Sequence, residues 1–420
     1  MQLISGRLKL AGFVILTAIL AACTEKLDNS AGCPILCPGQ GGEIETITID
    51  AVSLDSTLSA LTGLGTEGSM LIATRGDTLD ARAIVRFDSI PGRYRRPGAD
   101  TTSIPVTTAD SVILRVRVDT VEGKVPDEVI LDLYDVNSDA ADTLVNEIAD
   151  LFVPSRLIGS VTLAKAALKD TVNIPLPAAT ILDRLDERLR IGIRARGPQS
   201  VQLRLLSQEG AGAPTMLSYR VSPDTTVAKV QLTPSSKTPA DQAALAFSLA
   251  DYTLLVRGTA TGPATGLNIG GLPARRVYMR FNIPAFLDSV DVVRATLLLT
   301  QVANPGIDPA DTVKIVPHIG LATNAVTDIA KASQITAALT SDTLRVAHGG
   351  SGVQELEIAT IMSLWSRQDP EANTPKAIIL ISTREGNSPL EARFLPVEAP
   401  PDQRPRLRVS YSTRKATGLP

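Results

Sequence analysis

Arg82-Ala83-Ile84-Val85-Arg86-Phe87-Asp88 returns 194 residues later as Arg276-Val277-Tyr278-Met279-Arg280-Phe281-Asn282, and a proline follows each copy, Pro91 and Pro284. Both stretches are strand-length, and period two sorts their side chains onto two faces. Ala83, Val85 and Phe87 share one face, as do Val277, Met279 and Phe281, and these are expected in a core. Arg82, Ile84 and Arg86 point the other way, with Arg276, Tyr278 and Arg280, and the arginines are expected to brace the outer face through ion pairs. A sheet buried on one side needs a second sheet against it, so the pattern predicts a β-sandwich.

Further landmarks recur in the same order. Ser111-Val112-Ile113-Leu114 matches Ala295-Thr296-Leu297-Leu298. Pro214-Thr215-Met216-Leu217-Ser218-Tyr219 matches Pro405-Arg406-Leu407-Arg408-Val409-Ser410-Tyr411, at an offset of 191. Near-constant offsets over that length imply duplication of a whole domain. The expected fold is all-β: two tandem jelly-roll-like sandwiches, residues 44–222 and 226–413, joined at Ser222-Pro223-Asp224, with a tail at 414–420. Phe87 should fall on Phe281 and Leu217 near Leu407. Short helices are expected at Ala178 to Asp186 and Ile358 to Arg367, and longer amphipathic candidates lie near 141–152 and 326–340. Trp365 sits in a stripe with Ile358, Ile361, Met362 and Leu364, so it is expected to be core.

The N-terminus reads as an address rather than as fold. Arg7 and Lys9 precede an apolar run, Leu10 to Leu20, which is too short for the ~20 residues of a spanning helix. Leu20-Ala21-Ala22-Cys23 has the form of a bacterial lipobox. Residues 1–22 are therefore expected to be removed and Cys23 to be lipidated, holding the protein on a membrane, with the outer membrane favoured because Thr24 rather than Asp follows. Residues 23–43 read as a flexible tether of roughly 25 Å. Lipidation of Cys23 leaves Cys33 and Cys37 as a pair, expected to form a small disulfide.

Composition excludes several functions. Of 420 residues, aromatics make up 3% and only two are histidines, so a multi-histidine metal centre is ruled out. A net charge of −3, or −5 after loss of residues 1–22, argues against nucleic acid. Gly63-Leu64-Gly65-Thr66-Glu67-Gly68 fits a dinucleotide loop in letters, but it leads into a strand rather than a helix, so no nucleotide is expected. Asp135, Asn137 and Asp139 have the alternate-oxygen spacing of a calcium loop, although Ala140 stands where glycine is required. The sequence shows no nucleophile motif. The most distinctive loop is Gly92-Arg93-Tyr94-Arg95-Arg96-Pro97-Gly98, an insertion of about nine residues relative to the second copy. Arg93, Arg95 and Arg96 suit carboxylate or sulfate groups and Tyr94 a sugar face, so an acidic glycan is the expected ligand there.

The order of these landmarks resembles the DNRLRE-type, disaggregatase-related β-sandwich family. The likeness rests on the Arg-Phe-Asx strand, Ala295-Thr296-Leu297-Leu298-Leu299, the Leu364-Trp365 helix and the closing Arg404-Pro405-Arg406-Leu407-Arg408-Val409-Ser410-Tyr411. The first half lacks the Trp. The resemblance implies a jelly-roll of secreted and surface proteins, often involved in polysaccharide binding, and it carries no catalytic residues. The expected function is thus a lipid-anchored, non-catalytic envelope protein that binds or organises extracellular polysaccharide without a cofactor. A structural lipoprotein partnering another envelope protein is the alternative, and a polysaccharide-active enzyme the third.

Overall fold

The computed structural model describes residues 30–31, 42–60, 65–97, 103–119, 124–197, 199–212, 215–236, 250–258, 266–304, 311–321, 328–338, 342–368 and 374–413. Cys23, Cys33, Cys37 and the 414–420 tail lie outside the described residues. The chain is an all-β sandwich protein of antiparallel sheets, with four short helices among the described residues.

Its apolar residues gather in two main cores. The first contains Val85, Phe87, Leu114, Val116, Ile191 and Leu217, the second Met279, Phe281, Leu297, Trp365, Leu380 and Leu407. Each such buried side chain contributes on the order of 1.5–3 kcal/mol. The period-two reading of the two Arg-Phe strands, Leu79–Phe87 and Arg275–Phe281, therefore holds.

Around the first core, one sheet has seven strands and the other four. The larger is ordered Leu157–Ala164, Glu128–Asp135, Leu189–Arg196, Leu79–Phe87, Ser69–Arg75, Val201–Leu206, with the seventh strand, Asp251–Arg257, on Leu79–Phe87. The smaller runs Thr171–Pro175, Asp110–Arg117, Met216–Arg220, Val230–Leu232. Around the second core, Gly352–Glu357, Val290–Val302, Arg406–Thr413 and Gly42–Ile49 repeat the order of the smaller sheet. Thr312–Gly320, Lys376–Ser382 and Arg275–Phe281 repeat the middle of the larger. Gln301 and Val302 pair with Phe394 and Arg393, which joins the two layers into one 13-stranded sheet.

The domain boundaries drawn from the sequence need a correction. Strands Gly42–Ile49 and Val52–Ser59 do not complete the first sandwich: they pair with Arg406–Thr413 and Arg275–Phe281 of the second. Conversely, Val230–Leu232 and Asp251–Arg257, beyond the expected joint at 222–224, pair with Met216–Arg220 and Leu79–Phe87 of the first. The exchange is reciprocal. Hydropathy marks a segment as strand but says nothing about which edge will take it, because edges recruit any strand of suitable pattern.

The strand match at 111–114 is also one residue out. Leu176 N–H donates to Val112 O (2.9 Å) and Ile358 N–H to Ala295 O (2.7 Å), so Val112 corresponds to Ala295 and Leu114 to Leu297. A slip of one would send Leu114 to the wrong face. In this register Leu217 opposes Leu114 and Leu407 opposes Leu297. The helices Ala359–Trp365 and Ala179–Leu182 lie where the sequence puts them. The other two, Val145–Ala149 and Ile329–Ala332, are single turns, the latter followed by a strand, Thr336–Ala338.

The sandwiches touch. Leu272 packs with Leu71, Ala73, Leu79 and Ala81, Lys124 Nζ lies 2.8 Å from Asp311, and Asn387 Nδ2 donates to Ser69 Oγ at 3.2 Å.

Candidate functional site

Strands Glu128–Asp135 and Leu189–Arg196 lie side by side with Arg194 directly opposite Asp132 and Gly192 opposite Tyr134. Alternation therefore places Asp132, Tyr134, Arg194 and Arg196 on one face, away from the first core. Arg196 reaches Asp132 through both ends of its fork (Nε to Oδ2 2.7 Å, Nη2 to Oδ1 3.3 Å), and Ser160 Oγ donates to Oδ1 at 2.7 Å. Burial pushes the Asp132 carboxyl up, but the Arg196 and Ser160 hydrogen bonds outweigh it and hold the group below its ordinary range. The arrangement thus favours the anionic form of Asp132. Arg194 lies 3.6 Å from Asp80, which also takes Arg82 at 2.7 Å.

An aromatic wall backs this row of charges. The Phe152 ring sits 5.1 Å from Tyr134, and the Arg82 guanidinium lies 4.5 Å above Phe152. Gly192 makes the packing possible, since a Cβ there would stand 2.3 Å from the Phe152 ring.

Two clefts open along this face. One, of about 310 Å³, is lined by Thr74, Asp132, Tyr134, Arg194 and Arg196 among others. The second, of about 250 Å³, is lined by Asp127, Glu128 and Val201. They share Arg196, Gly197 and Gln199, so they neighbour one another. The two clefts place donors beside acceptors. A polyhydroxylated chain, each hydroxyl both donor and acceptor, matches such a lining.

The loop expected to bind glycan is arranged differently. Arg93 and Tyr94 pair with Ile104 and Pro105 in a two-stranded ladder, and Arg93 spends its guanidinium on Ser103 (Nε to Oγ 3.1 Å, Nη2 to O 2.7 Å). Tyr94 packs against the edge of the first core instead of presenting a free ring. Arg95 and Arg96 are exposed, and none of the four lines either cleft.

Guanidinium groups surround the loop of Asp135, Asn137 and Asp139, where the sequence offers calcium-type spacing. Arg184 donates to Asp135 Oδ2 (2.7 Å), Arg188 to Asn137 Oδ1 (3.0 Å) and Arg190 to Ser138 Oγ (2.8 Å). Arg156 donates to the carbonyls of Asp135 and Asn137, both at 3.0 Å, while Asp139 is exposed. Of the three side chains at alternate positions, Asp135 and Asn137 thus accept from arginines, and a cation would have to displace them. Among the described residues no group of three or more His, Cys, Asp or Glu is placed to hold a metal.

Beneath this loop lies a buried polar hub that the sequence did not disclose. Asp142, 4% exposed, accepts from Arg190 (2.9 Å), Arg86 (2.6 Å) and the Tyr252 hydroxyl (2.7 Å). Burial, reinforced by the Asp142 charge, pushes the Tyr252 phenol well up. The outer-face arginines do brace their sheets, Arg82 on Asp80 and Arg276 on Glu385 at 2.8 Å. Trp365 is core, 2% exposed and 5.1 Å from Phe281.

No protein-family model matches this chain, and no curated protein matches it.

Proposed function

We propose that this chain is a lipid-anchored, non-catalytic envelope protein that binds extracellular polysaccharide along the groove crossed by Arg194, Arg196, Asp132 and Tyr134. The observation that carries the reading is the two neighbouring clefts, whose linings combine Arg194 and Arg196 with Asp127, Glu128 and Asp132 beside Tyr134. Binding is favoured over catalysis because a general acid needs a raised carboxyl pKa. Asp132 is held low, and the carboxyls that burial raises, Asp55, Glu67, Asp251 and Glu385, do not line these clefts.

The lipobox at Cys23 and the DNRLRE-like landmarks support an envelope setting, and the matching strand orders support two copies of one unit. The tether leads into Gly42–Ile49, an element of the second sandwich. An anchor at Cys23 therefore hangs from the second sandwich, and the groove lies on the other. A glycan array with the body from residue 42 onward tests the function. Acidic polysaccharide is expected to bind, with affinity falling as salt rises. Absence of binding to every glycan, alongside capture of a single envelope protein, overturns it.

A further inference from the structure

The two borrowed strands carry the same device. On Val52–Ser59, Asp55 stands opposite Met279, and on Asp251–Arg257, Asp251 stands opposite Val85, the residue that matches Met279 in the repeat. Two positions on, Thr57 Oγ1 accepts from Asn268 N–H (2.9 Å) and Thr253 Oγ1 from Leu71 N–H (2.8 Å). Asp55 Oδ2 accepts from Val397 N–H (2.8 Å) and Asp251 Oδ2 from Gln208 N–H (3.0 Å). Val397 and Gln208 each lie just past the last strand of the larger sheet, and each is followed by a glutamate, Glu398 and Glu209. An Asp-x-Thr clamp with an acidic neighbour thus occurs twice, once on each exchanged strand.

We propose that Asp55 and Asp251 are proton-controlled latches: protonated, each holds its borrowed strand on the host sandwich, and ionised, each weakens that hold. Asp251 is fully buried, and its Oδ1 has no hydrogen-bond partner. A proton there turns an orphaned acceptor into a donor facing Glu209. Burial first, then the Glu209 charge, push Asp251 up to about 7 against the opposing Gln208 amide. Burial and Glu398 push Asp55 to about 6 against the Val397 amide. The charges bearing on the two carboxyls are both negative. Glu67, raised by burial and also by Glu209, is a further carboxyl beside the Glu209 that faces Asp251.

The sign follows from linkage. A carboxyl raised in the folded state takes up a proton on folding, so its contribution is complete below the unfolded value of about 3.9 and is lost as pH rises through 6 to 7. His318 and His348, both lowered by burial, run the opposite way, destabilising as pH falls. The latches are therefore read as a difference between variants.

Thermal unfolding of the intact body at pH 5 and pH 8 tests this with Asp251→Asn, Asp55→Asn and the double variant. Asparagine keeps the acceptor for the amide and a permanent donor towards the glutamate. Each variant is expected to gain on the wild type as pH rises, its advantage at pH 8 exceeding that at pH 5, by about 2–4 °C or more for Asp251→Asn. Glu209→Gln should also raise the pH 8 midpoint, and amide exchange in 251–257 should slow with it. If the Asn variants melt lower at both pH values, or keep the wild-type pH dependence, the carboxyls are fixed structural acceptors and the latch is wrong.

Discussion

Val52–Ser59 and Asp251–Arg257 do the same job in different company. Both lie against an Arg-Phe strand and both use Asp-x-Thr, yet the middle residue is Ser56 in one and Tyr252 in the other. Tyr252 reaches Asp142 and joins the buried arginine hub, whereas Ser56 has no such reach. Asp251 is fully buried, and Asp55 is half-buried. The second sandwich instead relies on apolar packing, with Trp365 against Phe281 under a helix the first sandwich has only as a single turn. One borrowed strand is thus fixed by a polar hub, while the other joins a sandwich anchored by an aromatic core. The same topology is compatible with either chemistry.

The largest effects should fall on these two anchors. Trp365→Ala removes a buried indole and should cost about 3–5 kcal/mol in denaturant unfolding. Asp142→Ala leaves Arg190 buried beside an empty place and should cost a similar amount, about 3–5 kcal/mol. Tyr252→Phe is milder. It removes one hydroxyl from Asp142 and should cost about 1–3 kcal/mol, whereas Ser56→Ala should cost little, so equal losses at the two positions would erase the contrast.

How much of this was legible follows from what each signal depends on. Arg82–Asp88 and Arg276–Asn282 announce themselves because strand alternation is local, and Trp365 follows from helical spacing. The clamp was present in the letters too: Asp55-Ser56-Thr57 and Asp251-Tyr252-Thr253 stand 196 apart, close to the 194 of the Arg-Phe strands. It went unread because its meaning depends on amides at 208 and 397, which only folding delivers. The groove is harder still. Asp132 and Arg194 are distant in sequence, and only the register of two strands makes them neighbours. The Arg93–Arg96 loop shows the reverse, since local charge does not reveal that Ser103 takes the Arg93 guanidinium.

Binding effects are smaller. Arg194→Gln with Arg196→Gln should lower affinity for acidic polysaccharide by about tenfold, equivalent to ~1.4 kcal/mol, and flatten its salt dependence. Replacing Arg93, Arg95 and Arg96 together by Gln should change it far less. A titration in which the loop variant loses more affinity than the groove variant would move the site to the loop.

The reciprocal exchange itself is open to one direct measurement, because Trp365 is the only tryptophan and lies in the second core. Denaturant unfolding followed by its fluorescence can be compared between a chain starting at residue 42 and one starting at residue 60. Loss of Gly42–Ile49 and Val52–Ser59 strips two partners from the second sandwich, so the Trp365 transition should move to markedly lower denaturant. An unmoved Trp365 transition would mean that these strands do not complete the second sandwich, and the exchange would be contradicted.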